Sequence, residues 1–317
     1  MANQLYRLAL FALVLASLVF TARAQADVAR PLIVTSALSG VYGEILERLE
    51  ECSAFAIDKQ VISLSDAELS EASVRKADSI IAIGTRASAA VYELAPSVPV
   101  LSALITESGF EHLAARHYGS VAQALEAGVS AIYLDQPPAR LYRLGMLLVP
   151  DADRVGVIAT DPASASIVDN ISGDTITTPE LEWVTLTDLA KPIKLLGPLM
   201  QRSAFVIALP GKRAITLSAA KWILEIGSST RTPVIAYSRK YATSGALAAV
   251  YTSPVDVADQ VADVCTRTQG FASGPAAVYP PEHFSVEINA AVARVLGIPV
   301  RDPGYYRDAL MRAEGRP

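Results

Sequence analysis

Residues 77–109 read ADSIIAIGTRASAAVYELAPSVPVLSALITESG, and residues 203–245 read SAFVIALPGKRAITLSAAKWILEIGSSTRTPVIAYSRKYATSG. Both stretches share one pattern: a short apolar run stops near a glycine, an alanine-rich stretch follows, and a Pro-Val pair opens a second apolar run. Short β-branched runs that alternate with helical stretches are typical of a parallel sheet buried on both faces. The sequence therefore predicts an α/β fold of two doubly wound parallel-sheet lobes with a cleft between them.

Small polar residues follow the predicted strands at the ends that should face this cleft. Ligands of open α/β sheets bind beyond the carboxyl ends of the strands, where loop amides, helix N-termini and hydroxyl side chains converge. Each such residue alone is more typical of a helix N-cap than of a ligand contact, and both interpretations stay open. The candidates are Ser36, Ser39, Thr85, Thr106, Ser108, Thr160, Asp161, Gly211 and Ser238.

Arg86 and Tyr237 complete the set of candidate ligand-binding residues. Arg86 lies at the start of a predicted helix, where a cation opposes the helix dipole unless an anion is nearby, and this favours a role facing a ligand carboxylate. Tyr237 is one of several tyrosines near predicted strand ends, together with Tyr42, Tyr241 and Tyr251. A wall for an apolar or aromatic ligand and packing at a hinge both explain these rings.

The first 26 residues have the pattern of a cleaved secretory signal. Arg7 precedes an apolar run over residues 8–20, and Ala24, Gln25 and Ala26 form an A-x-A cleavage sequence. The apolar run is shorter than the about 20 residues that a membrane-spanning helix needs. We expect a mature protein that is soluble and works in the periplasm.

Charge and cysteine content narrow the class of partner. The formal net charge is −5 and the sequence has no cluster of lysine or arginine, which argues against nucleic-acid binding. The two cysteines, Cys52 and Cys265, lie in predicted helices. In an oxidising compartment they can form a disulfide, and two buried thiols are equally compatible with the residues.

The sequence lacks the common catalytic and cofactor-binding motifs. Gly211-Lys212 is not a phosphate loop, because Val206 stands where the motif needs a glycine, and neither G-x-S-x-G nor G-x-G-x-x-G occurs. His112 and His117 are five residues apart, which places them about 140° apart on a helix and prevents them from sharing a metal ion. We therefore expect no catalysis, no cofactor and no metal site.

Three longer stretches resemble one known family. Residues 232–270 read TPVIAYSRKYATSGALAAVYTSPVDVADQVADVCTRTQG, residues 284–300 read FSVEINAAVARVLGIPV, and residues 133–166 read YLDQPPARLYRLGMLLVPDADRVGVIATDPASAS. In combination they are similar to the C-terminal region and hinge of the substrate-binding proteins of ABC transporters, which have a type I periplasmic-binding-protein fold. The similarity covers residues from about 77 to 300.

The resemblance implies two lobes joined by a hinge that the chain crosses more than once. One lobe would comprise residues 27–134 and 246–270, and the other residues 135–245 and 271–300. Residues 301–317 lie beyond the resemblance, and their charge predicts a frayed tail. Cys52 and Cys265 would then lie on neighbouring helices of one lobe, which implies a disulfide between them.

The family also implies a function. It predicts a monomer that captures a small organic solute, such as an amino acid, between its lobes and delivers it to the permease of an ABC transporter. A divergent envelope protein with the same fold and no transport role is the alternative.

Overall fold

The structure, a computed structural model, describes residues 31–52, 60–159, 179–186, 192–211, 213–268 and 274–316. These residues form two six-stranded sheets, each packed between helices. Neighbouring strands are parallel throughout the first sheet. The prediction of an α/β fold with two doubly wound lobes is confirmed.

The first lobe is built on a sheet with the strand order β11-β5-β4-β3-β1-β2. Its central strands consist of apolar or small residues, which allows burial on both faces. The strands are β1 (Pro31–Thr35), β2 (Gln60–Ser63), β3 (Ser79–Ile83), β4 (Val100–Ile105), β5 (Val129–Tyr133) and β11 (Val278–Tyr279). The helices are α1 (Val41–Glu51), α2 (Glu71–Arg75), α3 (Thr85–Glu93), α4 (Glu107–Tyr118), α5 (Val121–Glu126) and α10 (Pro254–Arg267).

The second lobe is built on a sheet with the strand order β12-β10-β9-β8-β6-β7, in which β12 runs antiparallel to β10. The strands are β6 (Arg154–Ala159), β7 (Glu180–Thr185), β8 (Phe205–Ala208), β9 (Val234–Ala236), β10 (Ala248–Tyr251) and β12 (Ser285–Ile288). The helices are α6 (Pro138–Leu148), α7 (Pro192–Arg202), α8 (Arg213–Thr230), α9 (Arg239–Thr243), α11 (Ala290–Leu296) and α12 (Pro303–Ala313).

Each lobe has an apolar layer on both faces of its sheet. Successive residues of a strand point to opposite faces, so Ile80 packs in the layer with α3 and α4 whereas Ile81 packs in the layer with α1 and α10. In the second lobe, Val157 packs in the layer with α6 and α12, and Ile158 packs in the layer with α7 and α8. Burial on both faces accounts for the apolar composition of the central strands.

Within the described ranges the chain passes between the lobes at residues 134–137, 252–253 and 280–284. These crossings correct two assignments. The β10 strand, expected in the first lobe with residues 246–270, pairs with β9 and β12 of the second sheet. The β11 strand, expected in the second lobe with residues 271–300, pairs with β5 of the first sheet. An apolar run predicts a strand but does not specify its neighbours, and the other lobe limits stay predictions.

The C-terminal residues form a helix, so the expectation of a frayed tail over residues 301–317 was wrong. Helix α12 follows the N-cap Asp302, whose carboxylate accepts a hydrogen bond from the Gly304 N–H at 2.8 Å. Tyr306 and Leu310 are 2% and 1% exposed and pack into the second-lobe core. Two apolar residues one turn apart anchor a segment whose remaining composition is typical of a solvated end.

Cys52 and Cys265 are free thiols in the structure, although both lie in the core layer between the first sheet and helices α1 and α10. Cys265 is buried, and Cys52 is half-buried at the end of α1. Burial raises the pKa of both thiols. The disulfide that the family resemblance implies is therefore not formed in this structure.

The predicted signal sequence, residues 1–26, lies outside the described residues, as do Thr160 and Asp161. Across the helices that the structure does describe, none is both long enough and apolar enough to span a membrane.

Candidate ligand-binding cleft

A cavity of about 240 Å³ lies between the lobes, at the carboxyl ends of strands from both sheets. Its wall on the first-lobe side follows β4 and β5, and its wall on the second-lobe side follows β8, β9 and β10. Residues from two of the crossings, 134–136 and Thr252, also line it. The lining residues are Thr106, Leu134, Asp135, Gln136, Pro210, Tyr237, Ser238, Arg239, Tyr251 and Thr252.

Three of the residues proposed from the sequence line this cavity: Thr106, Tyr237 and Ser238. Thr106 is the N-cap of α4, where its hydroxyl accepts a hydrogen bond from the Gly109 N–H at 3.1 Å. Ser238 is the N-cap of α9 and accepts from the Tyr241 N–H at 3.4 Å. Each hydroxyl thus has the capping role that was the alternative to ligand contact, while it also lies at the cavity wall.

Ser36, Ser39, Thr85 and Arg86 lie on the first lobe but are not among the residues that line the cavity. The buried Ser36 hydroxyl is 3.4 Å from the Ile83 carbonyl, to which it donates. Ser39 and Thr85 are exposed, and the Arg86 guanidinium donates to the Leu64 carbonyl at 3.0 Å. The structure therefore gives Arg86 a backbone partner in its own lobe, while Asp161 lies outside the described residues.

The ends of β1 and β3 approach each other closely at Gly84. This residue has a φ of +99°, and a Cβ there would lie 2.9 Å from both the Ser36 hydroxyl and the Tyr42 ring. Only glycine fits both the backbone conformation and the space. Ser36, Tyr42 and Thr85 thus lie around one compact corner at the carboxyl edge of the first sheet.

Sequence reasoning missed Asp135 as a candidate, although the residue lies in the stretch 133–166 that resembles the hinge of the family. The Asp135 carboxylate accepts a hydrogen bond from the Glu107 N–H at 2.6 Å, at the first turn of α4. Burial raises the pKa of Asp135 despite this bond. Burial, Glu111 and Asp135 likewise raise the pKa of Glu107.

Arg239 brings a cation to the second-lobe wall of the same cavity. Its Nε donates to Glu287 at 3.1 Å, and its side chain is 68% exposed. An Arg guanidinium has five N–H donors, so a bond through Nε leaves donors for a ligand. The cavity therefore carries an acid from the first-lobe side and a base from the second.

The sequence left open whether the tyrosines form a wall for a ligand or pack within the protein, and the structure contains rings of both kinds. Tyr237 and Tyr251 line the cavity, whereas Tyr241 is 7% exposed and belongs to the second-lobe core. The rings of Tyr237 and Tyr241 lie 5.4 Å apart, so the core ring supports the wall ring. Tyr42 packs against the first-lobe core instead.

Polar side chains at the cavity wall link two of the crossings. Gln136 donates through Nε2 to the Thr252 hydroxyl at 2.7 Å, and this hydroxyl lies 3.4 Å from the Leu134 carbonyl. These bonds tie the outgoing crossing at 134–137 to the returning crossing at 252–253. The residue positions given by the structure contain no group of three or more His, Cys, Asp or Glu side chains placed to hold a metal ion.

No family model matches the chain, and no curated protein matches it. Solved structures do match the chain. A ligand-free, open substrate-binding protein with adhesive properties from Clostridium difficile aligns with 86% of this chain and 96% of its own, with a TM-score of 0.62 and 14% identity.

Two further structures align over the same shares of both chains, each with a TM-score of 0.51. One is an ABC domain in complex with L-Trp from Streptococcus pneumonia, 14% identical, and the other is a conserved domain protein from Vibrio cholerae, 16% identical. At such identities the likeness concerns the fold. The chain thus has the bilobal type I periplasmic-binding-protein fold that the resemblance in the sequence implied.

Proposed function

We propose that this protein is a solute-binding protein that captures a small zwitterionic metabolite, such as an amino acid, in the cleft. The observation that carries the proposal is the placement of Asp135 and Arg239 on opposite walls of one cavity. Ligand pockets combine apolar walls with a few placed polar groups, and this cavity has that composition.

Asp135 faces the ammonium group of the ligand in this proposal. Its carboxylate has one N–H donor from Glu107 but sits where burial disfavours the charge. A ligand cation would offset that cost, which is a physical reason for the acid to bind an ammonium group. Glu107 adds negative potential on the same side.

Arg239 and the hydroxyl of Ser238, both on the second-lobe wall, face the ligand carboxylate, while the Thr106 hydroxyl lies on the first-lobe wall with Asp135. A guanidinium can bind a carboxylate through two parallel N–H donors. Tyr237, Tyr251 and Leu134 would then contact the apolar part of the ligand. A cavity of about 240 Å³ suits a molecule of amino-acid size rather than a peptide or an oligosaccharide.

Closure of the lobes would complete the site. The first-lobe corner that contains Ser36 and Thr85 lies at the same carboxyl edge as β4 and β5. Rotation about the crossings brings such edges together in hinged proteins. We assign Ser36, Ser39, Thr85 and Arg86 to contacts made on closure, and we assign the protein no catalytic step. We also propose periplasmic location, a monomeric state and delivery of the solute to an ABC permease.

Ligand capture can be tested by native mass spectrometry of the purified protein together with a thermal-shift screen of the twenty amino acids. Asp135→Asn should weaken binding of any hit about 10-fold to 100-fold, because one charge-assisted contact is lost. Asp153→Asn is the matched control, since Asp153 is exposed beside the amino end of β6, away from the cleft. Absence of a bound molecule and of any thermal shift would favour the accessory envelope protein.

A further inference from the structure

A buried ion pair connects the C-terminal helix to the hinge. The side chain of Arg140, at the start of α6, is 1% exposed and donates through Nε and Nη2 to the two carboxylate oxygens of Glu314, each at 2.7 Å. Its guanidinium also lies 4.0 Å from the centre of the Phe284 ring. A bidentate pair of this kind fixes the orientation of both side chains.

The same guanidinium reaches two crossings between the lobes. Its Nη1 donates to the Gln136 side-chain oxygen at 2.6 Å and to the Pro281 carbonyl at 3.0 Å. Gln136 is 3% exposed, and its Nε2 in turn donates a hydrogen bond to the Thr252 hydroxyl at 2.7 Å. One chain of hydrogen bonds therefore runs from Glu314 through Arg140 and Gln136 to Thr252.

Gln136 and Thr252 are also two of the residues that line the cleft. With both amide atoms of Gln136 engaged, the rotamer of this side chain is set by Arg140 on one side and by Thr252 on the other. The orientation of Arg140 depends in turn on Glu314, which lies beyond the last residue of α12.

We propose that Arg140 and Glu314 are positioning residues of the cleft, and that the end of the C-terminal helix holds the crossings at 134–137 and 252–253 in register through Gln136. The proposal rests on the proposed function only in treating the cleft as the binding site. Glu314 contacts neither the cavity nor Thr252, so its influence there passes through the relay.

Hydrogen–deuterium exchange of the ligand-free protein tests the relay without knowledge of the ligand. Two amides report on the crossings, since the Leu134 N–H donates to the Ile105 carbonyl and the Ser253 N–H donates to the Asp256 carboxylate. In Glu314→Gln, peptides that contain these amides should exchange at least 10-fold faster than in the parent protein. Glu314→Asp keeps the charge but shortens the side chain, and it replaces Glu314→Gln if that variant does not fold.

Two further variants separate a relay from a general loss of stability. Ile158→Ala removes core contacts in the layer with α7 and α8, on the face of the second sheet opposite α6 and α12, so it should lower the melting temperature and leave both reporter peptides at the parent rate. Thr252→Val cuts the relay at its cleft end, and it should speed exchange at the reporters without affecting α12.

Additivity provides the decisive measurement. If Glu314 acts through Gln136 and Thr252, the double variant Glu314→Gln/Thr252→Val should exchange no faster at the crossings than the faster single variant. The proposal is overturned if faster exchange in the Glu314 variants is absent or confined to α6 and α12, if Ile158→Ala speeds the reporters equally, or if the two single effects multiply. A failure to find any ligand would refute the proposed function and leave these exchange results unaffected.

Discussion

The substitution Gly145→Ala has two opposing effects on stability, and its net effect should be to destabilise the second lobe. Gly145 lies inside α6, where alanine is intrinsically preferred to glycine by about 1 kcal/mol. A Cβ at this position would, however, lie within 2.8 Å of three carbons of the Phe205 ring. Phe205 is fully buried in β8, so its ring has no open space into which to move.

The steric overlap with Phe205 should outweigh the helix preference of alanine. Overpacking of a filled core costs about 1–3 kcal/mol, and simultaneous overlap with three ring atoms places this substitution near the upper end. After about 1 kcal/mol of helix preference is subtracted, the net loss is about 2 kcal/mol. This loss corresponds to roughly a 30-fold change in the unfolding equilibrium.

Urea unfolding followed by tryptophan fluorescence measures this loss directly. Both tryptophans, Trp183 in β7 and Trp222 in α8, lie in the second lobe and report on its unfolding. Gly197→Ala in α7 is the control, because its Cβ would meet no atom within 4 Å, so it should leave stability unchanged or raise it by up to about 1 kcal/mol.

A second substitution, at Phe205, tests whether steric overlap causes the loss of stability. Gly145→Ala/Phe205→Leu should be more stable than the sum of the two single effects, since the shorter side chain leaves room for the new methyl group. The steric reasoning is refuted if Gly145→Ala is as stable as the parent protein, or if the two changes are additive.

Three further predictions concern the cleft and the thiols. Thr106→Ala and Ser238→Ala each remove an N-cap, so each should lower the free energy of unfolding by about 1 kcal/mol in urea unfolding and should also weaken ligand binding in calorimetry. A loss of stability with unchanged affinity would show that these residues act only as caps. Burial raises the pKa of Asp135 and Glu107 in the folded state, so the ligand-free protein should lose stability as the pH rises above about 4. Asp135→Asn should make the free energy of unfolding depend less on pH, and an unchanged pH dependence would contradict the burial argument. Labelling of the unreduced, denatured protein should find two thiols, while Cys265 should resist labelling in the native state; finding none in the denatured protein would show a disulfide.

The local patterns of the sequence were sufficient for the layers of the fold. Runs such as Ile80–Ile83 and Phe205–Ala208 are apolar at every position, and burial on both faces of a sheet follows from that composition. The N-cap alternative for Thr106 and Ser238 could also be stated in advance, because a cap depends on residues only three positions apart.

The pairing of strands and the composition of the cleft required the tertiary structure. The apolar residues of β10 and β11 suit either sheet, so their periodicity does not say which strands they join. In the sequence, Asp135 is an acid two positions before a pair of prolines and Arg239 is the first residue of a short helix, and neither position indicates a ligand site. They become a candidate site only because the crossings bring the carboxyl edges of two sheets to one cavity.

The sequence by itself thus determined two parallel-sheet lobes, with polar residues at the strand ends, because burial and capping are properties of neighbouring residues. Only the tertiary structure decided that the charged C-terminal segment is a helix whose Glu314 binds Arg140, 174 positions away along the chain. The same holds for Gln136 and Thr252, which are separated by 116 positions. A polar side chain does not encode its distant partner in any local pattern, so the contacts that connect the lobes become visible only once both sheets are folded.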